Sequence, residues 1–191
     1  MGKEFRQVVS DVSITSSKEY NDFLYGWLVL NAHMGDQVYV WKGDFVLSKM
    51  EQELGMTRKT IAKYFSFLVK EGLVVEEEDR YILPSLGKKG FGIEVDVLRR
   101  LVETKERYAL TLYAYLVRGY YIAGRQQYTV LLDNAKRQLG LSTESRSNSK
   151  IVTNLFEMFR EMGLLKCTLN MDKSKIKRYY TLDGVGKDYY F

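Results

Sequence analysis

Leu54-Gly55-Met56-Thr57-Arg58-Lys59-Thr60-Ile61, with Leu68-Val69-Lys70-Glu71-Gly72-Leu73-Val74 a little further on, is the stretch from which the fold is read. Glycine tolerates the left-handed backbone that ends a helix, and threonine offers a side-chain oxygen to the free amides that open the next one. The spacing therefore predicts a helix ending at Gly55 and a second one capped by Thr57. Ile61, Phe65, Leu68 and Val69 fall on one face of that second helix, and Gly72 ends it. Upstream, Ser48-x-x-Glu51 forms a capping box for the shorter helix. Downstream, Leu73-Val74-Val75, the charged turn Glu76-Glu77-Glu78-Asp79 and Tyr81-Ile82-Leu83 predict a β-hairpin.

The same plan recurs later in the chain. Tyr20-x3-Leu24-Tyr25-x-Trp27-Leu28 returns 88 positions on as Tyr108-x3-Leu112-Tyr113-x-Tyr115-Leu116. Phe45-Val46-Leu47-Ser48 ending in Leu54-Gly55-Met56-Thr57 returns at an offset of 85, as Val130-Leu131-Leu132-Asp133 ending in Leu139-Gly140-Leu141-Ser142. Phe65-x2-Leu68-x3-Gly72-Leu73 returns at an offset of 91, as Phe156-x2-Phe159-x3-Gly163-Leu164. Order is kept while the offset drifts, as duplication with loop insertions would leave it.

Each copy is filled in from local signals. In the first, Ser16-x-x-Glu19 predicts a capped helix over about 17–33, and Val38-Tyr39-Val40-Trp41 is β-prone. In the second, a short helix over Val95–Leu101 leads into a long one from Thr104 to Ile122, and Tyr128-Thr129-Val130 follows as a strand. Asp133 then caps a helix ending at Gly140, and the polar stretch Ser142 to Ser149 precedes a helix running through Glu161. Leu164–Asn170 and Ile176–Leu182 form the last hairpin. The expected fold class is mainly α with small β-hairpins (α+β): two tandem winged helix-turn-helix domains, 1–84 and 95–191, joined by a short linker over 85–94. Ser85-Leu86-Gly87-Lys88-Lys89-Gly90 is its hinge-like part.

Composition narrows the function class. With 46% hydrophobic and 28% charged residues the chain is globular, not disordered. Its strongest apolar stretch, Phe23 to Ala32, is half of the roughly 20 residues a membrane span needs, and the first residues lack a secretory core. One cysteine, Cys167, excludes an internal disulfide, and a soluble cytoplasmic protein with no membrane partner is expected. Residues 1–90 carry 12 Lys/Arg against 13 Asp/Glu, whereas residues 91–191 carry 17 against 11, so the basic excess lies in the second half.

Catalytic constellations are nearly absent. The one histidine, His33, sits where a helix C-terminal cap is expected, and Cys167 between Leu165 and Leu169 reads as a packed thiol. No phosphate-binding glycine loop occurs, and Gly87-Lys88-Lys89-Gly90-Phe91-Gly92 lacks the spacing of one. Glu51 and Glu53 read as solvated carboxylates. No enzyme activity, cofactor or metal is expected.

The motifs Leu54 to Ile61 and Leu68 to Val74, with Leu139-Gly140-Leu141-Ser142 and Phe159-Arg160-Glu161-Met162-Gly163-Leu164-Leu165, resemble the helix-turn-helix core of bacterial winged-helix domains. In tandem they are similar to the replication initiators and primosome-type proteins of Gram-positive bacteria, their plasmids and phages. The resemblance implies binding to double-stranded DNA in replication initiation or transcription regulation, and self-association or a replication or transcription partner. Such folds insert the start of the third helix into the major groove. Here that selects Arg58, Lys59, Thr60 and Lys63 in the first copy, and Arg146, Asn148, Ser149 and Lys150 in the second. Arginine suits guanine, asparagine suits adenine, and hydroxyls suit phosphate. The second wing adds Lys173, Lys175, Lys177 and Arg178 as phosphate contacts, whereas the acidic run Glu76 to Asp79 departs from the usual basic wing. Acidic wing and aromatic tail (Asp188-Tyr189-Tyr190-Phe191) favour the alternative, a protein-interaction scaffold with little DNA affinity. An effector-sensing regulator is a third possibility, for which no convergent polar site is visible.

Overall fold

A computed structural model describes residues 4–43, 47–124, 126–172 and 177–185. The chain is mixed α+β, with helices packed on small antiparallel sheets, and divides into two compact units, Met1–Leu110 and Thr111–Phe191.

Unit one begins with β1 (Phe5–Val9) and the single-turn α1 (Val12–Thr15), capped by the Asp11 carboxylate. The following helix, α2, covers Asp22–Asn31 and not 17–33. Its cap is Asn21, whose side chain accepts from the Leu24 amide at 3.0 Å. The Ser16–Glu19 box is not used: Ser16 and Ser17 finish α1 by donating to Val12 and Ile14, and the Ser17 hydroxyl turns the chain by accepting from Glu19 N. Arg107 fastens this turn, donating to the Lys18 and Tyr20 carbonyls with its guanidinium near the Tyr64 and Tyr108 rings. His33 caps nothing. It lies in β2 (His33–Met34) and stacks on Tyr39 of β3 (Val38–Trp41), ring centroids 5.4 Å apart.

Next come α3 (Leu47–Leu54), α4 (Arg58–Lys70), β4 (Val75–Glu76) and β5 (Arg80–Leu83). Thr57 caps α4 as its spacing predicts, and Gly55 and Gly72 adopt the left-handed backbone at φ of 65° and 69°. The buried stripe of α4 is Ile61, Phe67 and Leu68; it is rotated toward Tyr64, which leaves Val69 exposed and Phe65 half-buried against Tyr81. The sheet runs β2-β3-β5-β4, so β5 pairs with both β3 and β4.

The segment expected to be a linker is structured. Gly90–Glu94 forms β6, antiparallel to β1 with Phe5 opposite Glu94 and Val9 opposite Gly90. It leads directly into α5 (Val95–Glu103), whose Leu98 and Val102 meet α2 at Gly26. A Cβ on Gly26 would lie 2.7 Å from Val102 Cγ2 and 3.0 Å from Leu110 Cδ2. The division between units consequently falls after Leu110 and not over 85–94, because strand pairing and this helix contact keep residues 90–103 with unit one. Gly26→Leu forces bulk into that contact and should destabilise unit one by about 2–3 kcal/mol, read as a lower denaturant midpoint by tryptophan fluorescence. A midpoint equal to wild type would show the helices are not held this closely.

α6 (Ala109–Ile122) begins just before the division and supplies unit two with the buried Tyr113 and Leu116. β7 (Tyr128–Leu131), α7 (Leu132–Gln138), α8 (Arg146–Glu161), β8 (Leu165–Asp172) and β9 (Lys177–Val185) complete it. The sheet runs β7-β9-β8. In both units, then, the strand that precedes the helix pair (β3 in unit one, β7 in unit two) pairs with the last hairpin strand, which pairs with its neighbour. Asp133 lies inside the first turn of α7 rather than capping it, and Ser145, accepting from Asn148 N, caps α8. The core centres on Phe156, stacked on Tyr180 at 3.7 Å, and on Phe159, edge-on to Tyr113. The repeat residues Phe45 and Val46 and the aromatic tail Asp188–Phe191 lie outside the described residues.

Candidate nucleic-acid interface

The turn between α7 and α8 is built by side chains that bond back to it. Lys136 points inward from α7 and is nearly buried, donating from Nζ to the Thr143 carbonyl at 2.7 Å and to Asp133 at 3.3 Å. Asn148 donates from its side-chain amide to the Ser142 carbonyl at 3.1 Å. The Ser149 hydroxyl donates to the Ser145 carbonyl at 3.4 Å. Asn148 and Ser149, selected as DNA contacts, are therefore half-buried and engaged in holding the first turn of α8.

Held this way, the turn opens a cleft of about 500 Å³ lined by Leu131, Leu132, Asp133, Lys136, Arg146, Ser149 and Arg178. Arg146, at the first position of α8, and Arg178, on β9, are both exposed and reach the same cleft from different elements. Lys150 lies one turn along α8 and is also exposed. Three cations against one carboxylate, beside the positive end of a 16-residue helix, make this an anion-seeking surface. Lys177 stands at the start of β9, opposite Asp172, which places it at the hairpin end. Lys173 and Lys175 lie outside the described residues.

The corresponding surface of unit one is arranged differently. Glu51 of α3 receives both the Arg58 backbone amide (3.0 Å) and its Nε (2.8 Å). That hydrogen-bonded guanidinium holds the Glu51 carboxyl below the usual carboxylate range. The pair is therefore complete at neutral pH and is lost only as pH falls through this lowered value. Thr60 is tied to Thr57, by Oγ1···Oγ1 at 3.0 Å and by its amide at 3.3 Å. Lys63 lies near the Tyr64 ring at 5.9 Å, and Lys59 is exposed. In the acidic turn, Glu76 pairs with Lys42 and Glu77 with Arg80, each at 2.7 Å. The two carboxylates expected to be solvated are both used, since Glu53 accepts from Trp27 Nε1 at 2.6 Å.

Known protein families, curated proteins and solved structures contain no match to this chain. Among the described residues no cluster of His, Cys, Asp and Glu could hold a metal ion, and no helix is long and apolar enough to cross a membrane. Burial pushes the Cys167 thiol up to about 11, so it stays protonated and unreactive at neutral pH.

Lys136, Asp133 and Glu51 are the participants that sequence reasoning missed. A lysine inside Asn134-Ala135-Lys136-Arg137 carries no sign that it turns inward. Glu51 and Arg58 are seven positions apart across a tight turn, a pairing visible only if the two helices are assumed to meet at Gly55.

Proposed function

We propose that this is a tandem winged helix-turn-helix protein that binds double-stranded DNA, without catalysing a reaction, in replication initiation or transcription regulation of a mobile element. The observation that carries the proposal is the convergence of Arg146 and Arg178 on one cleft at the start of α8. An exposed helix start beside a basic hairpin suits a major groove flanked by phosphates. The shared element order and strand order of the two units support the tandem reading. Unit two is the primary DNA-binding element, because Arg58 in unit one is already neutralised by Glu51.

The test is equilibrium binding of the full chain to duplexes selected from a random pool, measured across salt concentrations. Neutralising about four to six phosphates gives a log–log salt slope of roughly −4 to −5. No binding to any duplex at low salt would reject the proposal.

A second reading, a protein-interaction scaffold that self-associates or holds a replication or transcription partner, is favoured by the outer sheet face of unit one. There His33, Tyr39 and Trp41 form a contiguous aromatic surface, with Trp41 38% exposed beside the acidic hairpin. A stable dimer or hetero-complex without duplex binding would decide for it.

A further inference from the structure

β8 ends the sheet of unit two. The order β7-β9-β8 gives it β9 along one side and, among the described residues, no strand along the other. In an antiparallel pair every second residue turns its N–H and C=O away from its neighbour. About four amides and as many carbonyls of this eight-residue strand therefore face outward. Native edge strands are usually shortened, bulged, or interrupted by proline or charge. Between Lys166 and Asp172, β8 carries none of these devices. The bulge in its ladder falls on β9, where Asp183 is the extra residue between the pairs Lys166↔Gly184 and Cys167↔Leu182. One face of β8 starts buried at Leu165 and Cys167 and then runs out of cover, leaving Leu169 44% and Met171 51% exposed.

The order of residues along this edge fits a copy of itself. Two antiparallel β8 strands with a two-fold axis at Leu169 place Leu169 opposite Leu169, Met171 opposite Cys167 and Thr168 opposite Asn170. Lys166 then stands opposite Asp172 at both ends. Apolar residues meet on one face and polar residues on the other. A parallel pair in register would instead oppose Lys166 to Lys166 and Asp172 to Asp172, and an axis at Thr168 or Asn170 loses both charge pairs. We propose that a second copy of this chain pairs along β8 in the antiparallel register centred on Leu169, joining the two three-stranded sheets into one. Such an interface uses the same patch on both copies and closes at two. DNA takes no part in it, so the pairing stands or falls separately from duplex binding.

Sedimentation velocity of the full chain without DNA should show a monomer–dimer equilibrium with a dissociation constant of about 10–100 µM, as suits contact along one strand. Lys166→Asp and Asp172→Lys each put like charges opposite one another at both ends, and each should weaken the dimer about tenfold. Combining them restores opposite charges and should return affinity to within about threefold of wild type. Leu169→Lys sets two ammonium groups against each other on the axis and should leave a folded monomer, with its circular dichroism unchanged. In the wild-type chain, amide exchange should slow with rising concentration at alternate residues of β8. A chain that stays monomeric up to about 300 µM overturns the proposal. So does a dimer indifferent to Leu169→Lys, or a double reversal as weak as either single one. If a variant fails to fold, exchange in the wild-type chain decides alone, and its independence of concentration rejects the pairing.

Discussion

Arg146→Glu combined with Arg178→Glu should lower duplex affinity on the order of a hundredfold, because each reversal removes a cation worth about 1–3 kcal/mol at a nucleic-acid contact. The two side chains come from α8 and β9 and face one cleft, so their losses fall on one binding surface. Folding should survive. Both residues are exposed, and a glutamate in the first turn of α8 is favoured by the helix dipole by about 0.3–1 kcal/mol. The salt slope should become shallower by roughly two, one phosphate for each arginine. Lys18→Glu combined with Lys88→Glu, two exposed reversals in unit one with the same change in net charge, serves as the control. If the control weakens binding as much as the double variant, the effect is general electrostatics and the cleft has no special part.

Phe156→Ala should destabilise unit two by about 3–5 kcal/mol. Phe156 is fully buried and lies flat on Tyr180, itself fully buried, with planes 4° apart. Truncation leaves a ring-sized void, and Tyr180, held in the central strand β9, cannot follow it inward. For a unit of this size the thermal midpoint falls by at least about 12 °C, which far-UV circular dichroism would register. Phe65, its counterpart in the repeat, is only half-buried and meets Tyr81 edge-on at 4.9 Å, so Phe65→Ala should cost less. A loss below about 1 kcal/mol for Phe156→Ala would mean the ring stack is not a core contact.

Local signals were legible in the sequence and distant ones were not. The helix stops at Gly55, Gly72 and Gly140, the Thr57 cap and both hairpins depend on neighbours a few residues away, and they lie where the spacing places them. Asn21 displaced the Ser16–Glu19 box because a preceding helical turn, α1, had already used those serines. The pairing of β1 with β6 joins residues some eighty positions apart and leaves no periodic trace in either segment. In the candidate interface the exposed cations Arg146, Lys150 and Arg178 were visible as charge at a helix start and in a hairpin. What was hidden is which polar groups are already committed: Arg58 to Glu51, Asn148 to Ser142, Lys136 to Thr143. Commitment is a property of three-dimensional neighbours.

The β1–β6 ribbon bears on how the protein is made. A ribosome releases the chain from its N-terminus, so β1 emerges long before its partner strand Gly90–Glu94 is synthesised. Until then Val8 and Val9 have no strand beside them, and the Gly26 face of α2 lacks its α5 cover. Closing a loop of that length is slow relative to forming local helices and hairpins. Unit one should therefore accumulate as a half-assembled nascent chain that completes its fold only after α5 clears the exit tunnel. A chain truncated after Leu83 is the stable mimic of that intermediate, and it should bind chaperones that recognise exposed valine- and leucine-rich surface.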